Sequence, residues 1–368
     1  MNILILNWRD PKNPKSGGAE IVTLEHAKAW VKKGHKVIWF SSEFSKSKDK
    51  EVIEGINIIR RGNILTVFLH APIFYLFSGN KFDLIIDEIH GIPFFTPIYT
   101  RIPKIAFIHE TADEIWNYMY PFPFNKVGIF LERQYFSLYK KIVFWTDANS
   151  TVSDLEKYGI PNKNCIAISC PAGNKPLNKL PVKEKIPTFI FVSRVVKMKG
   201  IEEVIKAFFH ILKKVKNGQL WIVGDGDEKY LKYLKNTMHT YNISTKVKFY
   251  GKVNETEKLE LMKKAHLLLH ASIKEGWGLV VIEAASQGTP SIVYNVSGLK
   301  DSVKDGKTGL ILKKNNSEEM AKEALSLLDN KQKYEKFQKN AIEWSKSLTW
   351  EKATNQSISL IDKVADNG

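Results

Sequence analysis

The amino-acid sequence predicts an α/β protein built from two doubly wound, Rossmann-like domains. Its 368 residues exceed one ordinary core and fit two domains of about 150 to 200 residues each. Apolar runs of strand length alternate with helical periodicity, as in parallel sheets covered by helices on both faces. A proline- and lysine-rich segment, 171–187, interrupts this alternation and is typical of an interdomain linker. We therefore expect one domain over 1–175, a second over 176–345, and a helix within 346–368 that packs back on the first.

The first half opens with a β-α-β unit. An apolar run at 2–7 is followed by a polar loop and by helical periodicity from Ala19 to Lys33, which Gly34 closes. The next strand is predicted at 35–42. Further strand-like runs lie at 82–87, 104–109 and 141–146. Their alternation with helical or irregular segments predicts a parallel sheet.

The second half repeats this alternation after the linker. Strands are predicted at 188–193, 219–224, 246–251, 266–272 and 290–295. Helices are predicted at 201–215 and from about residues 228, 255 and 279, and the chain from about 317 is helical. The two halves therefore share an architecture, although no sequence repeat is visible.

Composition excludes several classes of protein. With 43% hydrophobic and 26% charged residues, the chain can bury substantial cores and is globular throughout. The longest apolar run, 64–77, has about 14 residues interrupted by His70 and Pro72, whereas a bilayer span needs roughly 20. The amino terminus lacks the basic start and cleavage site of a secretory signal. We therefore expect a cytoplasmic protein without a transmembrane helix.

The formal net charge of +16 predicts a surface that attracts anions. Nucleic acid, anionic lipid headgroups and phosphorylated small molecules all qualify, and charge alone does not choose among them. Lysines are scattered along the chain, so a plain solvated surface is the alternative. The two cysteines, Cys165 and Cys170, suit neither a redox pair nor zinc, and we expect them to fill cores.

Loops that follow strands carry the candidate binding residues, because ligands of open parallel sheets bind outside the carboxyl ends of the strands. Gly17 and Gly18 open the first helix, where free N–H groups attract phosphate, although a plain helix start also explains a glycine. Arg194 and Lys199 lie between the first strand and the first helix of the second half. There they could clamp a diphosphate.

Two glutamates, Glu275 and Glu283, flank a predicted strand-to-helix turn. If the helix starts near Leu279, the N–H groups of Gly278 and Leu279 favour an anion, with Glu275 beside them in the loop. An acidic residue early in a helix also complements the helix dipole. That explanation accounts for Glu283 but not for Glu275 or for the flanking glycines, Gly276 and Gly278.

His109 ends the strand predicted at 104–109. A lone histidine is usually structural, so catalysis and a buried structural role both remain open for it. The segment is not a zinc-protease helix, because Asp113 stands where that motif requires a second histidine.

These segments together resemble the retaining, GT-B-fold glycosyltransferases of family 4, which use nucleotide sugars. Residues 275–290, EGWGLVVIEAASQGTP, look like that family's pair of glutamates with seven residues between them. The other matching segments are GGAE (17–20), IHE (108–110), SRVVKMKG (193–200), GDGDE (224–228) and SGLKDSVKDGKTG (297–309). The resemblance implies two Rossmann-like domains facing each other across a cleft, the first binding the acceptor and the second the nucleotide-sugar donor.

The resemblance also assigns roles in the donor domain. It implies that Arg194 and Lys199 bind the donor diphosphate, that Glu275 binds the hydroxyls of the transferred sugar at the reacting centre, and that Glu283 accepts hydrogen bonds from the ribose. The remaining donor-binding residues would be Gly276, Gly278 and Leu279.

In the amino-terminal domain, the resemblance places Gly17 and Gly18 near the diphosphate and donor sugar and His109 close to the anomeric carbon. Retention of configuration is implied by the family alone. The sequence departs from the family pattern at Ser193, at Ser297–Gly298 and at Ala172–Gly173. These small-residue changes in binding loops blur the identity of the donor.

No metal or cofactor is expected beyond the donor. Asp225 and Asp227 match the DxD of metal-dependent glycosyltransferases in letters, but they follow a strand as a turn. The GKT at 306–308 is not a P-loop, since Asp301 stands where that motif needs glycine. The cations and the helix start can stabilise a leaving diphosphate without a metal.

Segment 120–141 is aromatic and basic, which suits either the core of the first domain or an anionic membrane surface that carries a lipid-linked acceptor. We expect a glycan or a lipid-linked sugar as acceptor and a possible location at the cytoplasmic face of the membrane. The rival functions are a nucleotide-sugar epimerase or hydrolase on the same fold and, remotely, a basic nucleic-acid-binding protein. No recognition module supports nucleic acid as a partner.

Overall fold

The computed structural model describes residues 1–79 and 81–366 and divides into two compact units. Unit 1 contains Met1–Cys170 together with the chain from Thr349 onward, and unit 2 contains Pro171–Leu348. The chain therefore passes from one unit to the other at 170/171 and 348/349, where the sequence predicted boundaries at 175/176 and 345/346. Residues 367 and 368 of the predicted terminal helix lie outside the described residues.

Unit 1 is an eight-stranded sheet with helices. Its strands are β1 (Asn2–Leu6), β2 (Lys36–Ser41), β3 (Lys50–Ile53), β4 (Ile56–Arg60), β5 (Leu84–Glu88), β6 (Lys104–Phe107), β7 (Val143–Thr146) and β8 (Cys165–Ala167). Its helices are α1 (Gly18–Lys32), α2 (Val67–Phe77), α3 (Thr96–Tyr99), α4 (Trp116–Met119), α5 (Phe124–Leu138) and α6 (Asn149–Lys157), with α14 (Trp350–Asp366) returning to it.

The sheet of unit 1 has the order β3-β4-β2-β1-β5-β6-β7-β8, and all neighbours are parallel except β3 and β4. Strand β5 is buried along its whole length, as the apolar run predicts for a parallel strand covered on both faces. The ends of β5, β6 and β7 lie side by side, which brings their following loops together.

Unit 2 is a six-stranded, fully parallel sheet of order β11-β10-β9-β12-β13-β14. Its strands are β9 (Thr188–Val192), β10 (Gln219–Val223), β11 (Val247–Gly251), β12 (Leu267–His270), β13 (Ser291–Val293) and β14 (Gly309–Ile311). Its helices are α7 (Ile201–Leu212), α8 (Glu228–Thr240), α9 (Glu255–Lys264), α10 (Leu279–Ser286), α11 (Leu299–Ser302), α12 (Ser317–Leu328) and α13 (Lys331–Ser347).

The two α/β architectures confirm the predicted fold class. Three features were not anticipated: the antiparallel β3–β4 pair, the edge strands β8 and β14, and the helical form of 67–77. A continuous apolar run does not distinguish a buried strand from a helix, which is why the pattern at 64–77 left α2 unassigned. Among the described residues, no helix combines the length and the apolar character needed to cross a bilayer.

Helix α14 packs on α1 within unit 1. The hydroxyl Oγ of Ser357 lies 2.9 Å from His26 Nδ1 and accepts a hydrogen bond from Trp30 Nε1 at 3.0 Å. His26 also packs edge-on against Trp145 and Trp350. These buried contacts attach the last helix to α1, and the hydrogen-bonded residues His26 and Ser357 are 331 positions apart in the chain.

Candidate active site

Two neighbouring loops at the carboxyl ends of β9 and β12 form the candidate donor site of unit 2. The first holds Arg194 and ends at Lys199, and the second runs from Ala271 to Gly278. They touch directly, because Ile273 N–H donates to the Met198 carbonyl at 3.0 Å. Gly200 has φ +72°, and a Cβ there would lie 1.9 Å from the Ala271 carbonyl oxygen. Only glycine allows this approach.

Glu275, the acidic residue of the second loop, is bound by two cationic or N–H-bearing side chains. Its Oε1 accepts a hydrogen bond from Lys199 Nζ at 2.7 Å and another from His270 Nε2 at 3.0 Å. Burial alone would raise the pKa of the Glu275 carboxyl, but Lys199 and His270 hold that pKa well below its usual range. Glu275 is therefore a carboxylate at neutral pH.

The second oxygen of Glu275, Oε2, has no hydrogen-bond partner within the part of the chain that the structure describes. It is not sealed in the interior either, since the side chain keeps 15% of its exposure. One oxygen is thus fixed by protein groups and the other is open to a ligand hydroxyl.

Arg194 differs from Lys199 although both lie in the same loop. Its side chain is exposed, and its guanidinium makes no ion pair or hydrogen bond with any described residue. Lys199 is buried and already paired with Glu275. The loop therefore offers one free cation and one cation compensated by a carboxylate.

The helix α10 begins directly after this loop. Gly278 precedes Leu279 in a left-handed conformation, φ +87°. The loop is held from the other side by Gly298, where a Cβ would lie 2.1 Å from the Glu275 carbonyl oxygen, and by Glu275 N–H donating to the Ser297 carbonyl. The Ser297–Gly298 departure from the family pattern therefore lies against the backbone of Glu275.

Glu283 lies in the second turn of α10 and is ion-paired. Its Oε2 is 2.9 Å from Lys258 Nζ on α9, and Lys258 also binds Glu255 at 2.9 Å. Although burial opposes it, the two carboxylates raise the pKa of Lys258. Neither Lys258 nor His270 was foreseen from the sequence. His270 left one signal, as the polar residue that ends the apolar run LLL, whereas Lys258 is one lysine among many.

The DGD turn at 225–227 is occupied by backbone hydrogen bonds. Asp227 caps α8 by accepting from the N–H groups of Lys229 and Tyr230, and Asp225 accepts from Gly226 N–H. Val195 N–H donates to the Asp225 carbonyl at 2.7 Å, so this turn packs beside the Arg194 loop. Its aspartates shape the turn.

In unit 1, His109 lies between two carboxylates supplied by neighbouring strands. Its Nδ1 is 2.5 Å from Asp147 Oδ2, and its Nε2 is 3.2 Å from Glu88 Oε1. Against the effect of burial, Asp147 and Glu88 raise the pKa of His109 to about 10. The raised pKa favours the protonated ring at neutral pH, and a ring whose two N–H groups are both engaged is poorly suited to act as a general base.

A second histidine, His90, stands beside this pair. Glu88, His90 and His109 offer donor atoms within 4.8 Å of one another. Within the described part of the chain His90 Nε2 has no hydrogen-bond partner, and it lies 3.6 Å from Glu88 Oε1 and 3.8 Å from Glu20 Oε1. A cation bound by all three residues would have to displace the Nε2 proton of His109, which the raised pKa of His109 opposes.

Gly17 and Gly18 are exposed at the start of α1. The Gly17 N–H is not free, because it donates to Glu20 Oε2 at 2.6 Å, and Glu20 Oε1 pairs with Arg9 at 2.8 Å. The glycine pair therefore opens the helix beside a buried ion pair rather than as a bare row of N–H groups.

Segment 120–141 divides between the core and the surface. Tyr135, Phe136 and Tyr139 are buried in the core of unit 1, in agreement with the structural alternative. By contrast, Phe122, Phe124, Phe130 and Leu131 are each more than half exposed. The segment is therefore core on one side and exposed on the other.

Two family models together match most of the chain. Residues 175–344 match the family model of glycosyl transferases group 1, and residues 16–172 match that of glycosyltransferase family 4. An uncharacterized glycosyltransferase of Haemophilus influenzae is 30% identical over 332 residues, covering 87% of this chain and 89% of that protein. Another, from Methanocaldococcus jannaschii, is 29% identical over 177 residues, so this chain spans about half its length, 48%.

Solved structures resemble the whole chain in fold. Sucrose-phosphate synthase from Thermosynechococcus elongatus superposes with a TM-score of 0.79 at 18% identity over 100% of both chains. HepE of Anabaena in complex with UDP-glucose gives 0.75 at 17% identity, covering 99% of this chain and 100% of HepE. At such identities the likeness shows the fold alone.

Proposed function

Because the chain belongs to the group 1 glycosyltransferases of family 4, we propose that it moves a hexosyl residue from a nucleotide diphosphate sugar to the hydroxyl of a glycan, lipid-linked sugar or glycolipid. One observation carries the proposal: neighbouring loops of unit 2 hold a cation, Arg194, and a carboxylate oxygen, Oε2 of Glu275, neither of which is paired with any residue that the structure describes. A sugar diphosphate needs both an anion-binding group and a hydroxyl acceptor.

The leaving diphosphate is the group that the site must stabilise. Cleavage of the bond from sugar to phosphate builds negative charge on the phosphate oxygens and positive charge on the anomeric carbon. Arg194 and Lys199, with the N–H groups of Gly278 and Leu279 at the start of α10, would supply fixed positive charge there. This electrostatic role needs no metal, and we propose a metal-independent reaction without a cofactor.

The two glutamates would bind hydroxyl groups. Glu275 Oε2 would accept from the transferred sugar, and Glu283, held by Lys258, would accept from the ribose. Gly276 would let the sugar approach the backbone of this loop. On the family resemblance, Gly17, Gly18 and His109 of unit 1 would also contact the donor, with His109 near the anomeric carbon and its charge compensated by Glu88 and Asp147. We propose retention of configuration on the family resemblance.

A thermal-shift panel tests the donor assignment. UDP, GDP and ADP with their glucose, mannose and N-acetylglucosamine derivatives are added to the wild-type chain and to Arg194→Ala and Glu283→Ala. A ligand that binds the folded state raises Tm. UDP-glucose, the ligand of HepE in the structure of similar fold, comes first.

The expected result is a rise in Tm with one nucleotide series that both variants lose. Lys336→Ala, which removes an exposed cation of α13, serves as the control and should keep it. An unchanged Tm with every donor in the wild-type chain would contradict the proposal. Consumption of donor without an acceptor would favour the epimerase or hydrolase alternative.

We also propose that the enzyme binds the cytoplasmic face of an anionic membrane through one side of unit 1. Leu65, Leu69, Ile73, Leu76 and Phe77, on and just before α2, are each more than half exposed and spaced as one helix stripe. Ring contacts of Tyr75 with Tyr99 and of Phe95 with Tyr135 place α3 between α2 and α5, the helix with the exposed aromatics.

Charge on this side favours anionic lipid. Segments 64–79 and 120–141 contain one acidic residue, Glu132, which is buried and accepts hydrogen bonds from the backbone of Ala112 and Asp113. The exposed charges are basic: Lys126, Arg133, Lys140 and Lys141. Apolar side chains with a basic border suit insertion between acidic headgroups.

Vesicle sedimentation tests this surface. We expect the chain to sediment with anionic vesicles at low salt, and less with zwitterionic vesicles. The double variants Leu69→Ser/Ile73→Ser and Phe122→Ser/Phe130→Ser should each weaken binding. Val182→Ser, which removes an isolated exposed side chain of unit 2, should not. Failure of the wild-type chain to sediment would exclude the surface, and a stable dimer in light scattering would assign it to a second copy.

A further inference from the structure

His270 has a buried ring of which one nitrogen is hydrogen-bonded to a described residue and the other is not. It is the last residue of β12 and is fully buried, with Nε2 donating to Glu275 Oε1 at 3.0 Å. Its other nitrogen, Nδ1, is buried and has no hydrogen-bond partner among residues 1–79 and 81–366, and the ring stacks on Phe191 with 6.0 Å between the ring centroids. An unpaired polar atom in a core costs stability, so its presence calls for a reason.

Charge compensation of Glu275 is not that reason. Lys199 already pairs with the same oxygen at 2.7 Å and supplies a full positive charge. An apolar side chain at position 270 would fill the core between β9 and β13 without leaving a nitrogen unpaired. What His270 adds is direction, because a ring N–H on a paired central strand points one way, whereas an ammonium group on a flexible chain does not.

We propose that His270 is a positioning residue that fixes the Glu275 carboxylate so that Oε2 stays turned toward the donor sugar. The inference rests on the proposed function, in which Lys199 also serves the diphosphate. When a diphosphate draws Lys199 Nζ away from Glu275, the hydrogen bond from His270 is the one that remains on Oε1. The carboxylate then keeps its orientation during the reaction.

The test compares three variants of the full chain. His270→Leu removes the N–H donor at similar volume, and His270→Gln keeps a donor of similar reach. His266→Leu is the matched control, since His266 lies just before the same strand and accepts from Thr188 N–H at 3.1 Å through Nδ1, away from Glu275. Each is measured for Tm, for binding of the nucleoside diphosphate alone and of the nucleotide sugar, and for kcat and KM.

For His270→Leu we expect a kcat lower by about 10- to 100-fold, as for loss of a hydrogen bond to a charged group. Binding of the nucleoside diphosphate alone should be unchanged, and the extra affinity contributed by the sugar should disappear. His270→Gln should restore part of both. His266→Leu should lower Tm and leave kcat unchanged.

Two results would overturn the inference: wild-type kcat in His270→Leu, or equal loss of diphosphate and sugar binding, which would show general damage to the site. If His270→Leu does not fold, His270→Asn replaces it, because the shorter amide cannot reach Glu275. The inference then requires Asn to lose the sugar contribution that Gln keeps. Absence of any donor turnover by the wild-type chain would instead contradict the proposed function, so the two failures are distinguishable.

Discussion

The polar groups at the carboxyl ends of the two sheets are arranged in opposite ways. In unit 2, Arg194 has no partner among the described residues and Glu275 keeps one oxygen open. In unit 1, His109 has both ring nitrogens bound by carboxylates, because Glu88 ends β5 and Asp147 follows β7, on either side of β6.

This difference separates two ways of using charge. Open groups can exchange water for a ligand, so under the proposed function they would determine affinity for the donor. A histidine held by carboxylates at both ring nitrogens is fixed in place, and with Glu88 and Asp147 it forms a group of charges whose positions do not change. We infer that unit 2 recognises the donor and that His109 and its two carboxylates contribute a fixed arrangement of charges.

Arg194→Ala should have the largest effect. Removing the free cation should lower kcat/KM by about 100- to 1000-fold, the range for loss of one donor that stabilises transition-state charge. Steady-state kinetics with the donor identified in the thermal-shift panel measure the change. Arg194→Lys keeps the charge but loses the planar fork, and should fall between Ala and wild type. Equal kcat/KM for Arg194→Ala and the wild-type chain would contradict a role for Arg194 in binding the diphosphate.

Asp147→Asn removes one of the two carboxylates that bind His109. It should have a smaller effect and lower kcat on the order of tenfold. The raised pKa of His109, about 10 against an ordinary 6.5, means that the folded state holds a proton that the unfolded state has lost. The resulting stability is complete below about pH 6.5 and is lost as pH rises toward 10. Asp147→Asn should lower Tm at pH 7 and flatten the fall in Tm between pH 7 and 9.5.

The kcat profile gives an independent check of the same comparison. If His109 is a fixed charge, the profile should show no rising limb near pH 6.5, where an ordinary histidine base would lose its proton. A rising limb there that is absent in His109→Gln would show that the histidine accepts a proton, and would make the two regions alike.

The sequence located the strand-to-helix loops well, because glycines and charges that follow apolar runs are visible without a structure. Arg194, Lys199, Glu275 and His109 were all selected as candidates in this way. Their partners were not found. The 3.0 Å hydrogen bond between His270 and Glu275 depends on the conformation of the loop that joins them, and no local pattern in the sequence reveals that conformation. The carboxylates around His109 likewise come from two other strands.

The fold shows the same division. The central strands were predictable as continuous apolar runs, whereas the hairpin formed by β3 and β4 has exposed Lys50 and Val52 on an edge strand and little apolar periodicity. Helix α2 was missed because eleven residues without a charged side chain fit a buried strand as well as a helix. Its exposed stripe is a property of tertiary packing that no local pattern reveals.

Lys258→Met should have the smallest effect and sharpens the comparison within unit 2. Glu283 is neither open like Glu275 Oε2 nor saturated like His109, since a single lysine binds its Oε2 at 2.9 Å. If that lysine orients the carboxylate toward the ribose, its loss should raise the donor KM by about 3- to 10-fold and leave kcat unchanged, as for one weakened hydrogen bond in ground-state binding. Lys263→Met serves as the control, because Lys263 lies on the same helix but pairs with Glu260 instead. A lower donor KM in Lys258→Met would mean that Lys258 and the ribose compete for the Glu283 carboxylate. Glu283 would then resemble His109, whose polar atoms are already bound by protein groups.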